Sequence, residues 1–344
     1  MKFNELMLNK QAVLRLGLFM VIGLTLIGCS SIVQSKAPQT QTSVQLSWIP
    51  NVEFSGIYEA IEQGYYADAN LEVKIIPGGY DEDGNYIDPV QRVLDGQADF
   101  GIAAGEVILQ SRAAGKPIVA IASIYQRSPV VFISLSDRNI LKPEDLKGQR
   151  VAIDIGSGLE IAFNALLSAQ KIDPSEVTVV PREDYTGGPL IRNEVDVMNA
   201  FIADEPVLMQ LEGYQVNYIL ASDYGINIYG DVFFTTEETI AERPELVEAF
   251  LRETLKGYEY AISSPDQAAE LALQHNNDLS LDHQKGYIQA ALPLFNPAGS
   301  RPGMMTAADW EAAHQILLDQ GVLSEPLDIN TVYTLDFLNK IYNK

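Results

Sequence analysis

From Val44 onward, short apolar, β-branched runs alternate with stretches whose apolar residues recur at helical spacing. "VQLSWI" (Val44 to Ile49) predicts a strand. In "FSGIYEAIEQGYY" the positions Ile57, Ala60, Ile61 and Tyr65 share one face of a helix that closes near Gly64. "LEVKIIP", "ADFGIA" and "PIVAIASIY" read as further strands, separated by the helical "DPVQRVLDGQ" and "GEVILQSRAAG" and by the Gly- and acid-rich surface loop "GGYDEDGNYIDP". Strand and helix in alternation predict a parallel sheet with helices on its faces. The rhythm resumes at "PVVFISLSD" and runs through a helix, the strand before "GSG", a second helix and the strands of "VTVVP", "DVMNAF", "VNYILASDYGI" and "DVFFTTEETI". From Pro244 to the end the pattern is helical. Two α/β halves and a helical tail predict two lobes with a cleft between them.

Ligands of open parallel sheets bind outside the carboxyl ends of the strands. That rule selects residues 48–58, 104–106, 123–128, 156–158, 185–188, 201–205 and 223–229 as segments that should converge.

The N-terminus changes the picture. Lys2, Lys10 and Arg15 precede the apolar run Leu16 to Ile27, which is 12 residues long, whereas a membrane span needs about 20. These are the proportions of a signal peptide. "LIGC", Leu26 to Cys29, resembles the lipobox of bacterial lipoproteins, which implies cleavage before Cys29, acylation of its thiol and a membrane anchor. Residues 1–28 are then the leader. Residues 29–42, polar and small, are a flexible tether. Cys29 is the one cysteine, so no disulfide framework is available.

The chain of 344 residues carries a net charge of -23. A field of that sign repels phosphate backbones and excludes nucleic acid as a partner. Its histidines, His275, His283 and His314, all fall in the helical tail with no metal spacing and none near the expected cleft. They are expected on surfaces or helix faces. "GSG", Gly156 to Gly158, offers N–H groups at a helix start and suits either an anion or a plain tight turn.

"WIPNVEFSGIYEAIEQGYY", "GQADFGIAAGE", "VAIASIYQRSPVVFISL", "GQRVAIDIGSG" and "ASDYGINIYGDVFFTTEETI" together resemble the substrate-binding proteins of ABC importers in the thiamine-pyrimidine-precursor group. That group also holds riboflavin binders, sulfonate binders and the eukaryotic pyrimidine synthase, and the likeness spans about Val44 to Glu270. It implies an α/β, two-lobe type II periplasmic-binding-protein fold with a helical C-terminal tail. Residues 43–134 and 232–344 would form lobe 1 and residues 135–231 lobe 2, hinged at "VVFISLSD" and "DVFFTTE".

The function implied is that of a solute-binding lipoprotein on the extracytoplasmic face of a membrane. It would be monomeric and cofactor-free, and would deliver hydroxymethylpyrimidine or formylaminopyrimidine to an ABC permease and its ATPase. Riboflavin and sulfonates such as taurine are the alternatives.

The resemblance places Asn51 and Glu205 on the aminopyrimidine edge, with Asp204 where Asn is more common, and Trp48 and Phe201 as stacking rings. Tyr58, Tyr125, Tyr185 and Tyr224 could join these rings, and Glu106, Ser157 and Asp223 complete the expected ligand shell. Beyond the Trp-x-Pro motif, where the synthases carry a histidine, this chain has Phe54. A phenyl ring cannot supply imidazole atoms, so a binder rather than an enzyme is expected.

Overall fold

The computed structural model describes residues 38–343; the leader, Cys29 and the tether up to residue 37 lie outside the described residues. Ten strands form two five-stranded sheets. The first has the order β2-β1-β3-β10-β4, built from β1 (Thr40–Gln45), β2 (Leu71–Ile76), β3 (Phe100–Ala103), β4 (Ile118–Tyr125) and β10 (Gly230–Thr236). The second has the order β7-β6-β8-β5-β9, built from β5 (Val130–Leu135), β6 (Arg150–Ile153), β7 (Thr178–Pro181), β8 (Val197–Phe201) and β9 (Val216–Leu220). Each sheet is the predicted parallel array with one antiparallel strand inserted, β10 between β3 and β4 and β5 between β8 and β9. A strand arriving from the other sheet enters at the cleft end, so it must run against its neighbours.

Three expectations shift accordingly. The first strand starts at Thr40, so the end of the expected tether pairs with β2, and Trp48 lies beyond the strand in a bend. The runs expected as hinges, "VVFISLSD" and "DVFFTTE", are β5 and β10 themselves, because β-branched apolar residues belong in a sheet. The chain instead crosses between sheets through residues 126–129, which are mostly polar, and residues 221–229, which mix polar side chains with the buried Ala221, Ile226, Ile228 and Tyr229. Val130 to Ser134 thus pair within the second sheet and Asp231 within the first.

The two crossing segments are bonded to each other. Arg127 pairs with Asp223 at 2.6 Å, and the Ser128 N–H donates to Asn227 Oδ1 at 2.8 Å. Asp223 and Tyr224, expected in the ligand shell, therefore belong to the hinge: Asp223 holds Arg127, and Tyr224 packs against the core of the second sheet.

The helical tail closes over the first sheet. Its first long helix crosses α1 (Ser55–Glu62) so closely that a Cβ on Gly257 would stand 1.9 Å from the Gly56 carbonyl oxygen. Next to it, the Tyr258 ring fills the space a Cβ on Gly56 would need, and its hydroxyl donates to the Glu53 carbonyl at 3.0 Å. The crossing thereby fixes the loop that carries Trp48 to Phe54. Gly257→Ala is expected to cost at least ~2 kcal/mol through overpacking against backbone, read as a lower midpoint in chemical denaturation.

Candidate ligand-binding cleft

At the carboxyl ends of β1 and β2, two loops build an aromatic wall. The Gly78 N–H donates to the Trp48 carbonyl at 3.0 Å, and any side chain at Gly78 would collide with the Leu46 carbonyl. Gly79 has φ 93°, a conformation that suits only glycine. This close seating lays Tyr80 edge-on against Trp48, centroids 5.6 Å apart, and Tyr86 against Tyr80 at 5.9 Å. The Tyr86 hydroxyl donates to the Ser47 carbonyl at 3.0 Å and locks the loop. All three rings stay exposed, Trp48 at 40%. The loop read from sequence as plain surface thus supplies two site aromatics. Its signal was a pair of tyrosines in a Gly-rich segment at a strand's carboxyl end.

The second lobe answers with Tyr185, 56% exposed, whose hydroxyl is pushed up first by burial, then by Asp154 and by Tyr80 of the wall, while Arg182 opposes the rise. The Arg182 guanidinium lies 4.7 Å from the Tyr185 ring, and the Tyr185 hydroxyl donates to Asp154 Oδ1 at 3.1 Å. Phe201, also exposed, ends β8 beside the first crossing segment.

Below the wall lies an acidic floor that the sequence did not single out. Glu53, in the short 3₁₀ turn after Asn51, makes side-chain contact with Asp231 and with Tyr287. Asp231 is 8% exposed, takes φ 47° in the left-handed region, and accepts from Ser47 Oγ at 3.3 Å. Its Oδ2 has no donor among the described residues. Burial, then mutual repulsion, pushes Glu53 far above the usual carboxylate range, and burial lifts Asp231 to about 6. Asp231 escaped the strand-end rule because β10 runs antiparallel, so its amino end is the one at the cleft.

Tyr125 lies in the field of Glu53 and Asp231, and its hydroxyl is buried and donates to Tyr287 at 3.3 Å. His283 does reach the cleft, contrary to expectation: its Nε2 lies 3.1 Å from Asp204 Oδ1 of the second lobe. His275 stacks on Tyr58 with centroids 3.9 Å apart, and Tyr58 is fully buried, a packing residue.

The expected polar contacts are largely committed inside the protein. Asn51 Oδ1 accepts from the Glu53 N–H at 2.7 Å. Glu205, 6% exposed, accepts from Arg182 at 2.6 Å through one oxygen and from the Phe201 N–H at 2.9 Å through the other. The "GSG" helix start is also filled: Ser157 Oγ accepts from Leu159, the Gly156 N–H donates to Glu160 at 2.7 Å, and Glu106 of the first lobe packs directly over Gly158. Burial pushes the Glu106 carboxyl up to about 7. Among the described residues, no group of three His, Cys, Asp or Glu side chains can hold a metal ion, and no helix is long and apolar enough to cross a membrane. Arg182→Met strands the Glu205 carboxylate in the interior and is expected to cost about 3–5 kcal/mol, measured by urea denaturation.

Comparisons with known proteins agree with this architecture. The chain is similar to the riboflavin-binding protein RibY of Chloroflexus aurantiacus, 28% identical over 88% of each chain. It is 26% identical to the formylaminopyrimidine-binding protein of Halalkalibacterium halodurans, covering 88% of this chain and 93% of that one. It is also 26% identical to a 4-amino-5-hydroxymethyl-2-methylpyrimidine phosphate synthase of Legionella pneumophila, covering 87% and 93%. Among solved structures, the periplasmic aliphatic sulphonate binding protein SsuA of Escherichia coli superposes with a TM-score of 0.66 at 14% identity, covering 85% of this chain and 91% of that one, which shows the periplasmic-binding-protein fold. Residues 51–268 match the NMT1/THI5-like family, and the chain belongs to it.

Proposed function

We propose that the protein is the solute-binding component of an ABC importer and that its ligand is a flat heterocycle of flavin size, with riboflavin as the reference compound. The observation that carries this reading is the aromatic wall of Trp48, Tyr80 and Tyr86 with Tyr185 across from it. Exposed rings of that extent suit a tricyclic ring system, since offset and edge contacts add about 0.5–1.5 kcal/mol per ring pair beyond area burial. An aminopyrimidine would need the Asn51 side-chain oxygen and the Glu205 carboxylate as acceptors, and both accept from groups within the protein. A sulfonate would meet Glu53, Asp231 and Glu106, while the buried guanidinium of Arg182 is held by Glu205. The similarity to RibY supports the same choice.

Binding without turnover is supported by Phe54, which is fully buried against the core where the resemblance to the synthases would require a histidine. A ligand touching both lobes shifts the protein toward its closed form by its differential contacts, and a permease can read that form. The "LIGC" stretch supports delivery from a lipid anchor at Cys29 on the extracytoplasmic face. A multiply acylated cysteine holds firmly because each buried methylene contributes roughly 0.8 kcal/mol.

Titration of the purified protein should quench riboflavin fluorescence, with no competition from hydroxymethylpyrimidine, formylaminopyrimidine or taurine. Trp48→Ala should weaken binding by about 1–3 kcal/mol. Failure to bind riboflavin together with tight binding of a pyrimidine would overturn the flavin reading. Cys29→Ser should move the protein from the membrane fraction to the soluble one, and persistent membrane association would remove the anchor.

A further inference from the structure

We infer that Glu53 and Asp231 form a carboxyl pair that carries a single proton, held between the two acids in the ligand-free protein, and that reads the imide edge of the ligand: in the complex Glu53 turns that proton to a ring carbonyl and Asp231 accepts from the ring N–H instead. This rests on the flavin reading above and goes beyond it by naming the atoms recognised.

Two carboxyl groups in side-chain contact cannot both stay ionised in a buried site without strong repulsion. One proton on the pair removes that repulsion. It also leaves a donor beside an acceptor, which is the complement of a carbonyl beside an N–H. Asp231 Oδ1 accepts from Ser47 Oγ, a bond that favours its ionised form, so the proton sits on Glu53 and Asp231 is the acceptor. An acidic cluster alone would be only a solvated face, but Asp231 is more than nine-tenths buried and its Oδ2 lacks any donor. A buried carboxylate oxygen left in that state costs free energy until something donates to it. Its neighbours Gly230 and Val232 are both paired with β4, so the backbone that carries it is held in the sheet.

Tyr86 joins the pair to the aromatic wall. Its ring packs on Tyr80, and its hydroxyl lies in the field of Asp231 and Glu106. A ring stacked on that wall therefore brings one polar edge to Asp231. The other titratable groups around the pair are Tyr58 on α1, Tyr125 on β4, Tyr258 and Tyr287 on the tail, and Asp204 of the second lobe with its partner His283. Burial drives all four of those tyrosine hydroxyls upward. They therefore stay neutral, and Asp204 adds to the repulsion that keeps the shared proton in place.

The test compares riboflavin with riboflavin methylated at N3, using the full-length protein and fluorescence quenching. Wild type should bind the methylated compound at least tenfold more weakly. Asp231→Asn should weaken riboflavin about tenfold and lose the discrimination between the two compounds, while Glu53→Leu, which removes the donor, should weaken both compounds. Equal binding of both compounds by wild type, or unchanged discrimination in Asp231→Asn, overturns the inference and leaves the flavin reading intact. No riboflavin binding by wild type overturns the flavin reading and, with it, the imide assignment.

The shared proton has its own ligand-free check. Asp231 is raised in the folded state, so its stabilisation is present at low pH and is lost as pH climbs through about 6. The urea midpoint of wild type should fall over that window relative to Asp231→Asn, and parallel pH profiles would show that Asp231 does not titrate there and is not a buried member of the pair.

Discussion

The pairing of β10 between β3 and β4 is the interaction on which the rest of the structure depends. It is the point where the chain, having built the second sheet, returns to the first. Without it, the two lobes would be beads joined once, and the tail helices would have no strand leading into them. Because the returning strand enters from the cleft, its first residues, Gly230 and Asp231, arrive among the carboxyl ends of parallel strands. A carboxylate is thereby driven into the floor of the site by topology.

In the site proposed above, that floor and the aromatic wall would divide recognition between two kinds of force. The rings contribute non-directional burial plus edge and face preferences. The acids contribute direction, since a buried hydrogen bond is rewarded chiefly by avoiding an unpaired group. The second lobe contributes Tyr185, held in place by the same Arg182 that neutralises Glu205. One buried ion pair thus supports a surface ring and the helix start behind it. The acids on both sides of the cleft and the overall charge of -23 point the same way, toward ligands that bring N–H groups rather than anions.

Much of the fold was legible because it follows from periodicity. Apolar β-branched runs such as "PIVAIASIY" became strands, and Gly64 closed the first helix with φ 74°, as its position suggested. What periodicity could not carry was direction: β5 and β10 have the composition of any buried strand, and only their order in space makes them antiparallel. The site was half legible for the same reason. Trp48 and Tyr185 sit where strand ends place them. Asn51 and Glu205 were assigned by residue type, but their partners, a backbone N–H two residues away and an arginine 23 positions upstream, are set by tertiary packing. Tyr80 and Tyr86 hid in a loop whose composition reads as solvent-facing. His283 looked like a helix-face residue until α-helical packing carried it to Asp204.

The bonds between the two crossing segments also bear on motion. Residues 126–129 and 221–229 are tied by Arg127 with Asp223 and by Ser128 with Asn227. Two rigid bodies joined by a pair of links that are themselves clasped retain one easy coordinate, rotation about the line through the clasp, while sliding and twisting are resisted. Closing is then a swing along a fixed arc. A ligand of the kind proposed would then meet Tyr185 from one angle, and the shape of that arc would bear on selectivity alongside the groups that line it.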